Sequence, residues 1–289
     1  MLQRFLLGIV VFIFVIATLL FALIALLTGS APTSVSALAV DLPVESVEIP
    51  TNDNTVTHGW LNQGKPGKGV VLLVHSMRSN RVEMLSRARF LGEQGYTTLM
   101  IDLYAHGETP GEKITFGLRE SENVTAAANY LRTRFPQERI GALGASLGGA
   151  AIVLAKLNKP FDAVILESVH GTLKEAIDNR LKLHLGDHGT LLLPIVLFQF
   201  SFFIDTPISE LNPISRINDL NAPVLFISGT HDVHTPQSEI ERMYATALKP
   251  KELWIVPGAQ HFNMHSYAGK SYEEYVTDFF GFYLQNDSD

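Results

Sequence analysis

The chain has 289 residues, of which 46% are hydrophobic and 18% are charged, which predicts a globular protein with a buried core in one large or two small α/β domains. It contains no cysteine, which excludes disulfides, a thiolate nucleophile and cysteine-bound metal. The formal net charge of -7 and the lack of any run of lysine and arginine argue against nucleic acid as a partner.

The N-terminal segment is long and apolar. Phe5 to Leu27 contains no ionisable side chain, and as a helix it would be about 34 Å long, enough to cross the core of a bilayer. A signal peptide has an apolar region of only about 7 to 15 residues. We therefore predict that residues 1–27 form an uncleaved membrane anchor. The small residues from Gly29 to Ala39, which include Ala37-Leu38-Ala39, leave cleavage and secretion open.

The charges that flank this segment predict its orientation. Arg4 precedes the segment, whereas the first charges after it are Asp41, Glu45 and Glu48. The positive-inside bias then places the short N-terminal tail in the cytoplasm and the large domain outside it, in the periplasm or the extracellular space.

The rest of the chain is predicted to be a linker followed by one α/β domain. Residues 28–43 are rich in serine, threonine, alanine and proline, which is typical of a linker, and residues 44–289 form the domain. Val44–Pro50 and Thr55–Leu61 are predicted to be antiparallel strands with a turn at Asn52-Asp53-Asn54 between them.

Strands and helices alternate from Gly69 onward. Further strands are predicted at Gly69–His75, Thr97–Ile101, Ile140–Leu143, Ala163–Leu166, Pro223–Ser228 and Glu252–Val256. Continuous apolar runs of this kind are typical of strands buried on both faces. We therefore predict a mainly parallel eight-stranded sheet with helices on both faces.

Two of the helices carry start signals. Thr235-Pro236 predicts an N-cap followed by a proline in the first turn. Ser271 with Glu274 predicts a capping box for the last helix.

An insertion at about residues 171–216 interrupts the alternation. Within it, Leu191 to Ile204 is aliphatic or aromatic except at Pro194, Gln199 and Ser201, and is too short to span a bilayer. The segment is predicted to be a helical lid. It either packs on the core, lines an apolar substrate pocket or dips into the bilayer beside the anchor.

Ser146 is the candidate nucleophile. It is the centre of Gly144-Ala145-Ser146-Leu147-Gly148, which stands between a predicted strand and a predicted helix. Gly-x-Ser-x-Gly in this context is the nucleophile-elbow signature, because small residues allow the sharp turn that exposes the serine hydroxyl.

A serine nucleophile requires a base and a carboxylate that orients the base. Asp232 and His261 follow the last two predicted strands, and the chain order serine, aspartate, histidine is that of the α/β-hydrolases. Glu167 also ends a strand and is an alternative partner for the histidine.

These motifs resemble those of α/β-hydrolase family serine hydrolases, close to the serine aminopeptidase and lysophospholipase-like branch. The resemblance rests on Gly-Ala-Ser-Leu-Gly-Gly, Gly-Thr-His-Asp-Val-His-Thr-Pro, Pro-Gly-Ala-Gln-His and the Asp102-Leu-Tyr-Ala-His-Gly turn. Ser76 and Ala105 depart from it, since the family usually has glycine at both positions. The resemblance implies that the backbone N–H groups of Met77 and Leu147 form the oxyanion hole. Inserts at this place usually roof the site in the family, so Leu192, Val196 and Phe200 are predicted to line the substrate pocket. Ser76, in the loop after the third predicted strand, is predicted as a further pocket position.

Other polar residues are assigned structural roles. His75, His106 and Asp102 are predicted to hold loops by hydrogen bonds, and His231 and His234 to lie at the surface or beside the site. His265, four residues after His261, has no third metal ligand in the sequence, so we expect neither a metal nor another cofactor.

The sequence therefore predicts a serine hydrolase that cleaves a small-molecule or lipid acyl ester through an acyl-enzyme. An acyltransferase or a peptidase with the same triad is the alternative, and a non-catalytic binding protein on this fold is a third. The sequence leaves the oligomeric state open.

Overall fold

The computed structural model describes residues 1–36, 41–52, 55–204, 206–261 and 263–285. The predicted turn residues 53–54 and the small residues 37–39 lie outside these ranges.

One eight-stranded sheet organises the domain, as predicted. Its strands are β1 (Glu45–Pro50), β2 (Val56–Asn62), β3 (Val70–Val74), β4 (Thr97–Ile101), β5 (Ile140–Ala145), β6 (Ala163–Glu167), β7 (Val224–Gly229) and β8 (Lys251–Val256). They lie in the order β1-β2-β4-β3-β5-β6-β7-β8. β1 pairs with β2 and β2 with β4 in antiparallel fashion, and all other neighbours are parallel.

Helices cover both faces of the sheet. They are α1 (Leu2–Thr28), α2 (Leu85–Glu93), α3 (Glu120–Arg134), α4 (Leu147–Leu154), α5 (Leu173–Leu185), α6 (Leu193–Phe200), α7 (Pro213–Arg216), α8 (Gln237–Thr246), α9 (Met264–Ala268) and α10 (Lys270–Leu284). Residues of α3, α4 and α8 belong to one buried cluster, and residues of α2 and α10 to another.

The strands are apolar throughout because successive side chains enter different cores. In β3, Val70, Leu72 and Val74 belong to the first cluster, whereas Val71 and Leu73 belong to the second. Side chains alternate between the two faces of a sheet, so a strand covered on both sides needs apolar residues at every position.

The insertion folds into α5, α6 and α7 with short 3₁₀ turns, and a third apolar cluster includes residues of α5 and α6. Leu173 and Ile177 of α5 and Val196 and Phe200 of α6 are buried in it. Ile24 of α1 is buried in the same cluster, so the N-terminal helix packs on the insertion.

The predicted linker does not run free of the domain at its start. Ala31–Pro32 forms a two-residue parallel pairing with His106–Gly107. The N–H of Ile114 donates to the carbonyl of Thr28 at 2.7 Å. These bonds hold the end of α1 against the loop that follows β4.

Both predicted helix starts are wrong in detail. α8 begins at Gln237 with Pro236 at its N-cap, and the Thr235 hydroxyl donates to the carbonyl of Ser168 instead. α10 begins at Lys270 after Gly269, which has φ +53, so Ser271 lies inside the helix. The Thr235 hydroxyl is thus used by a residue 67 positions away, and α10 starts directly after the positive-φ Gly269.

Candidate active site

Ser146 sits on a strained turn between β5 and α4. Its backbone has φ 48 and ψ -111, a conformation that is costly for a residue with a side chain. A Cβ on Gly148 would lie 2.3 Å from the carbonyl oxygen of Val74, and a Cβ on Gly144 would lie 2.6 Å from the backbone of Gly149. The two glycines are therefore required by close backbone approach, which explains the spacing of the motif.

The structure brings the three predicted triad residues together. His261 Nε2 lies 3.1 Å from Ser146 Oγ. His261 Nδ1 lies 2.9 and 3.0 Å from the two carboxylate oxygens of Asp232. Both separations are within hydrogen-bond reach. A ring nitrogen that donates to Asp232 leaves Nε2 free to accept the serine proton.

The surroundings of Asp232 stabilise its ionised form. Burial opposes its charge, but hydrogen bonds from His261 and from the N–H of Thr235 outweigh burial and lower the pKa of this carboxyl below its ordinary value. The N–H groups of His234 and Thr235 donate to Oδ1 at 3.0 and 2.8 Å. The turn after β7 therefore fixes the carboxylate while it faces the histidine.

Glu167, the alternative partner, is engaged elsewhere. Its side chain is buried and forms an ion pair with the buried Arg87, with Nη2 to Oε2 at 2.5 Å. Tyr272 also donates to Glu167 Oε1. The backbone carbonyl of Glu167 still contributes to the site, because it accepts from the N–H of Ser146 at 2.8 Å.

The proposed oxyanion donors belong to two adjacent elements. Leu147 is the first residue of α4, and the first N–H groups of a helix have no partner within the helix. Met77 lies in the turn after β3, and β3 and β5 are neighbours in the sheet. The positive end of the α4 dipole favours negative charge beside Ser146. The oxyanion role of the Met77 and Leu147 N–H groups stays a prediction.

Ser76, another predicted pocket position, is hydrogen-bonded to a neighbouring turn, and its role in the pocket stays a prediction. Its hydroxyl and its N–H donate to Glu83 Oε2 at 2.7 and 3.1 Å. The side chain that departs from the family pattern thus ties the loop after β3 to the 3₁₀ turn at Arg81–Met84.

Buried histidine and aspartate side chains hold the surrounding loops, as predicted. His75 Nδ1 lies 2.7 Å from the carbonyl of Ser76, and His75 Nε2 accepts from the N–H of Leu103 at 3.0 Å. Burial lowers the pKa of His75 below its ordinary value, which keeps the ring neutral. Asp102 accepts from the N–H of Arg81 at 2.7 Å and pairs with its guanidinium.

The pocket positions predicted in the insertion lie in the third apolar cluster. Val196 and Phe200 are buried there, and Leu192 and Met77 pack against it partly exposed. The cluster therefore connects α6 with the loop that carries the Met77 amide. Their role as pocket residues stays a prediction.

His234, predicted at the surface or beside the site, lies beside the triad, and two other polar residues there, His170 and Arg180, were not singled out by the sequence. The rings of His234 and His261 are 5.0 Å apart. Burial, followed by the charges of Arg180 and His261, lowers the pKa of His170 to about 3. Burial also lowers the pKa of Arg180, which the charge of Asp232 opposes. Of these two residues, only His170 could have been placed near the site from the sequence, because it lies shortly after a predicted strand.

His265 pairs with a carboxylate. Its Nε2 lies 2.8 Å from Glu273 Oε1. Within the described ranges of the chain, no group of three or more histidine, aspartate or glutamate side chains is gathered in a way that could hold a metal ion.

Known sequences resemble this chain over most of its length. A family model described as the dienelactone hydrolase family matches residues 60–278. The uncharacterized protein YqkD of Bacillus subtilis is 24% identical over 213 residues, which are 72% of this chain and 70% of the relative. The α/β-hydrolase domain-containing protein WAV2 of Arabidopsis thaliana is 25% identical over 218 residues, which are 72% of this chain and 68% of the relative.

Solved structures share the architecture. An esterase of Pyrococcus furiosus has a TM-score of 0.71 at 24% identity and covers 89% of this chain and 98% of its own. An esterase of Exiguobacterium antarcticum has a TM-score of 0.60 at 13% identity and covers 82% of this chain and 100% of its own. At such identities the likeness shows the fold alone. The predicted α/β-hydrolase fold is confirmed, and the closer resemblance to the serine aminopeptidase and lysophospholipase-like branch stays a prediction.

Proposed function

This chain belongs to the dienelactone hydrolase family and is a hydrolase, and from that premise we propose that it cleaves carboxylic esters with Ser146 as nucleophile. His261 acts as the general base and Asp232 orients it. The observation that carries the proposal is the 3.1 Å separation between Ser146 Oγ and His261 Nε2 on a strained elbow.

In the first half-reaction, Ser146 Oγ attacks the ester carbonyl carbon while His261 Nε2 takes the hydroxyl proton. The carbonyl oxygen becomes an oxyanion, which the N–H groups of Met77 and Leu147 hold. The intermediate collapses by breaking the bond to the alkoxy oxygen. The alcohol leaves with the proton from His261, and the acyl group stays on Ser146.

In the second half-reaction, water attacks the acyl carbon and gives its proton to His261 Nε2. The bond to Ser146 Oγ breaks, the serine regains the proton, and the carboxylic acid departs. Asp232, whose pKa lies below its ordinary value, stabilises the protonated histidine in both halves.

Ester substrates fit the insertion better than peptides with a free amino terminus. Gly189 to Ile204 contains no ionisable side chain and lies over the third apolar cluster. An amino terminus requires carboxylates, whereas an acyl chain requires apolar surface.

The proposal is tested with a fluorophosphonate probe and a series of p-nitrophenyl esters of increasing chain length. The wild-type chain is expected to be labelled and to turn over esters, and Ser146→Ala is expected to lose both. Ser209→Ala, at an exposed serine of the insertion, is the matched control and is expected to retain both. Labelling that persists in Ser146→Ala, or a wild-type chain that neither labels nor hydrolyses any ester, would refute the assignment.

We also propose that α1 is retained as a membrane anchor, with the hydrolase domain on the extracytoplasmic side. α1 contains the 26-residue span Gln3–Thr28, in which an 18-residue window has a mean hydropathy of 3.3, so it is long and apolar enough to cross a membrane or to be a signal sequence. Retention is supported by the packing of Ile24 in the third cluster, a site that cleavage would empty. The mass of the purified mature chain and its resistance to carbonate extraction test this assignment.

A further inference from the structure

The insertion carries an unpartnered apolar face. Leu191, Ile195, Phe198 and Phe202, here called the apolar stripe, are 75, 40, 66 and 62% exposed. Their spacing of three or four residues places them along one side of α6 and the turns that flank it. The opposite side, with Val196 and Phe200, is buried in the third cluster.

Two exposed hydroxyl groups, one in the insertion and one on α1, are satisfied within the chain, whereas Thr190 Oγ1 and Gln199 Oε1 have no hydrogen-bond partner among the described residues. The Ser201 hydroxyl donates to the carbonyl of Phe198 at 2.6 Å. On α1, the Thr18 hydroxyl donates to the carbonyl of Phe14 at 2.9 Å. Such internal hydrogen bonds are what a surface in contact with hydrocarbon requires, because lipid tails offer no partner.

Contacts of α6 and the turn after it with α1 determine how deep the stripe lies if α1 spans a bilayer. Gln199 Nε2 donates to the carbonyl of Ala17 at 2.8 Å, and the rings of Phe21 and Phe203 are 4.7 Å apart. The insertion therefore lies beside the stretch of α1 from Ala17 to Ile24.

Arg4 marks the other end of the span. A hydrocarbon core of about 30 Å takes about 20 residues of helix, and counted from Arg4 these reach Ile24. Ala17 then lies about 10 Å below the far edge of the core. Any tilt of α1 increases the number of residues needed and moves Ala17 deeper.

We propose that the apolar stripe inserts into the outer half of the bilayer beside α1, and that the ester substrate reaches Ser146 from the lipid phase. The substrate class is then an ester with a membrane-embedded acyl chain. Met77, whose N–H is the proposed oxyanion donor, packs on the cluster beneath the stripe, which links the lipid-facing surface to the nucleophile. The inference rests on the proposed function and on a retained α1.

The surface is tested on the full chain in phosphatidylcholine vesicles. The sequence has no cysteine, so Phe198→Cys gives one site for an environment-sensitive fluorophore. Phe282→Cys is the matched control, because Phe282 is also an exposed phenylalanine, at 78%, but lies on α10. Loss of emission with nitroxide-bearing lipids is expected at position 198 and not at 282. Equal quenching of both sites by aqueous iodide, with no response to nitroxide lipid, overturns the inference.

The lipid route is tested by activity. The double variant Phe198→Glu, Phe202→Glu is expected to keep wild-type turnover of soluble p-nitrophenyl acetate. It is expected to lose about tenfold on a long-chain ester presented in vesicles, equivalent to ~1.4 kcal/mol. Unchanged turnover of the vesicle ester would overturn the lipid route. If the esterase assignment itself is wrong, the wild-type chain turns over neither ester, while the quenching result still decides whether the stripe meets lipid.

Discussion

Replacing Asp232 by asparagine tests the hydrogen-bond chain with little change in shape. Asparagine Oδ1 can still accept the N–H groups of His234 and Thr235, which lie 3.0 and 2.8 Å from Oδ1 in the native turn. The amide then turns its NH₂ toward His261 Nδ1, where the native carboxylate oxygen lies at 2.9 Å. The ring must accept at Nδ1 and carry its proton on Nε2, so it cannot take the proton of Ser146.

The expected loss in kcat is about 10³- to 10⁴-fold, or ~4 to 5.5 kcal/mol of transition-state stabilisation. It is measured with p-nitrophenyl butyrate, and thermal unfolding verifies that the variant is folded. Glu167→Gln is the comparison, because it leaves the buried Arg87 without its charge partner. That variant should lower the unfolding temperature and should not reproduce the kinetic defect of Asp232→Asn. Activity of Asp232→Asn within about tenfold of wild type would refute the reasoning, since that corresponds to only ~1.4 kcal/mol.

Three further predictions follow from single contacts. Gly148→Ala should destabilise the fold by about 1 to 3 kcal/mol and lower fluorophosphonate labelling, because its Cβ would lie 2.3 Å from the Val74 carbonyl oxygen. Gly8→Ala is the control, because a Cβ at Gly8 would have nothing within 4 Å. Equal unfolding temperatures of the two variants would contradict this reasoning. Arg78 Nη1 donates to the carbonyl of Leu26 at 3.1 Å and so holds the end of α1 on the domain. Arg78→Gln should weaken this docking by about 1 kcal/mol and lower the unfolding temperature by about 2 to 4 °C. An unchanged unfolding temperature would show that Arg78 does not stabilise the docking of α1. The pKa of His170 is lowered from 6.5 to about 3 by burial, so the unfolded state binds the extra proton and stability falls as the pH drops from 6.5 toward about 3. At pH 5 this loss is about 2 kcal/mol, and His170→Gln should flatten the fall in unfolding temperature between pH 7 and pH 5; an equally steep fall would show that other groups cause it.

Local sequence patterns predicted the sheet with little error. The run Thr97–Ile101 was predicted as a strand and is one in the structure, and the other predicted strands end within one or two residues of the observed ones. This precision has a physical cause. A strand covered on both faces needs apolar side chains at every position, and the polar turns on either side mark its ends.

The candidate site was predictable because its residues follow strand ends. Parallel strands bring their carboxyl ends to one edge, so the chain order of Ser146, Asp232 and His261 was enough to predict their meeting. The sequence alone did not decide whether Asp232 or Glu167 is the carboxylate that orients His261. In the structure, Arg87, 80 positions earlier in the chain, engages Glu167.

The sequence by itself determined the strand pattern, the elbow and the apolar character of α1 and the insertion, because each depends on neighbouring residues. Only the tertiary structure decided the partner of Glu167 and the packing of α1 on α6. Each of these depends on side chains that are distant in sequence and meet only when the chain is folded, as Gln199 meets Ala17 across 182 positions. Local propensity does not predict such long-range contacts, because the free energy of each contact depends on burial that exists only in the complete fold.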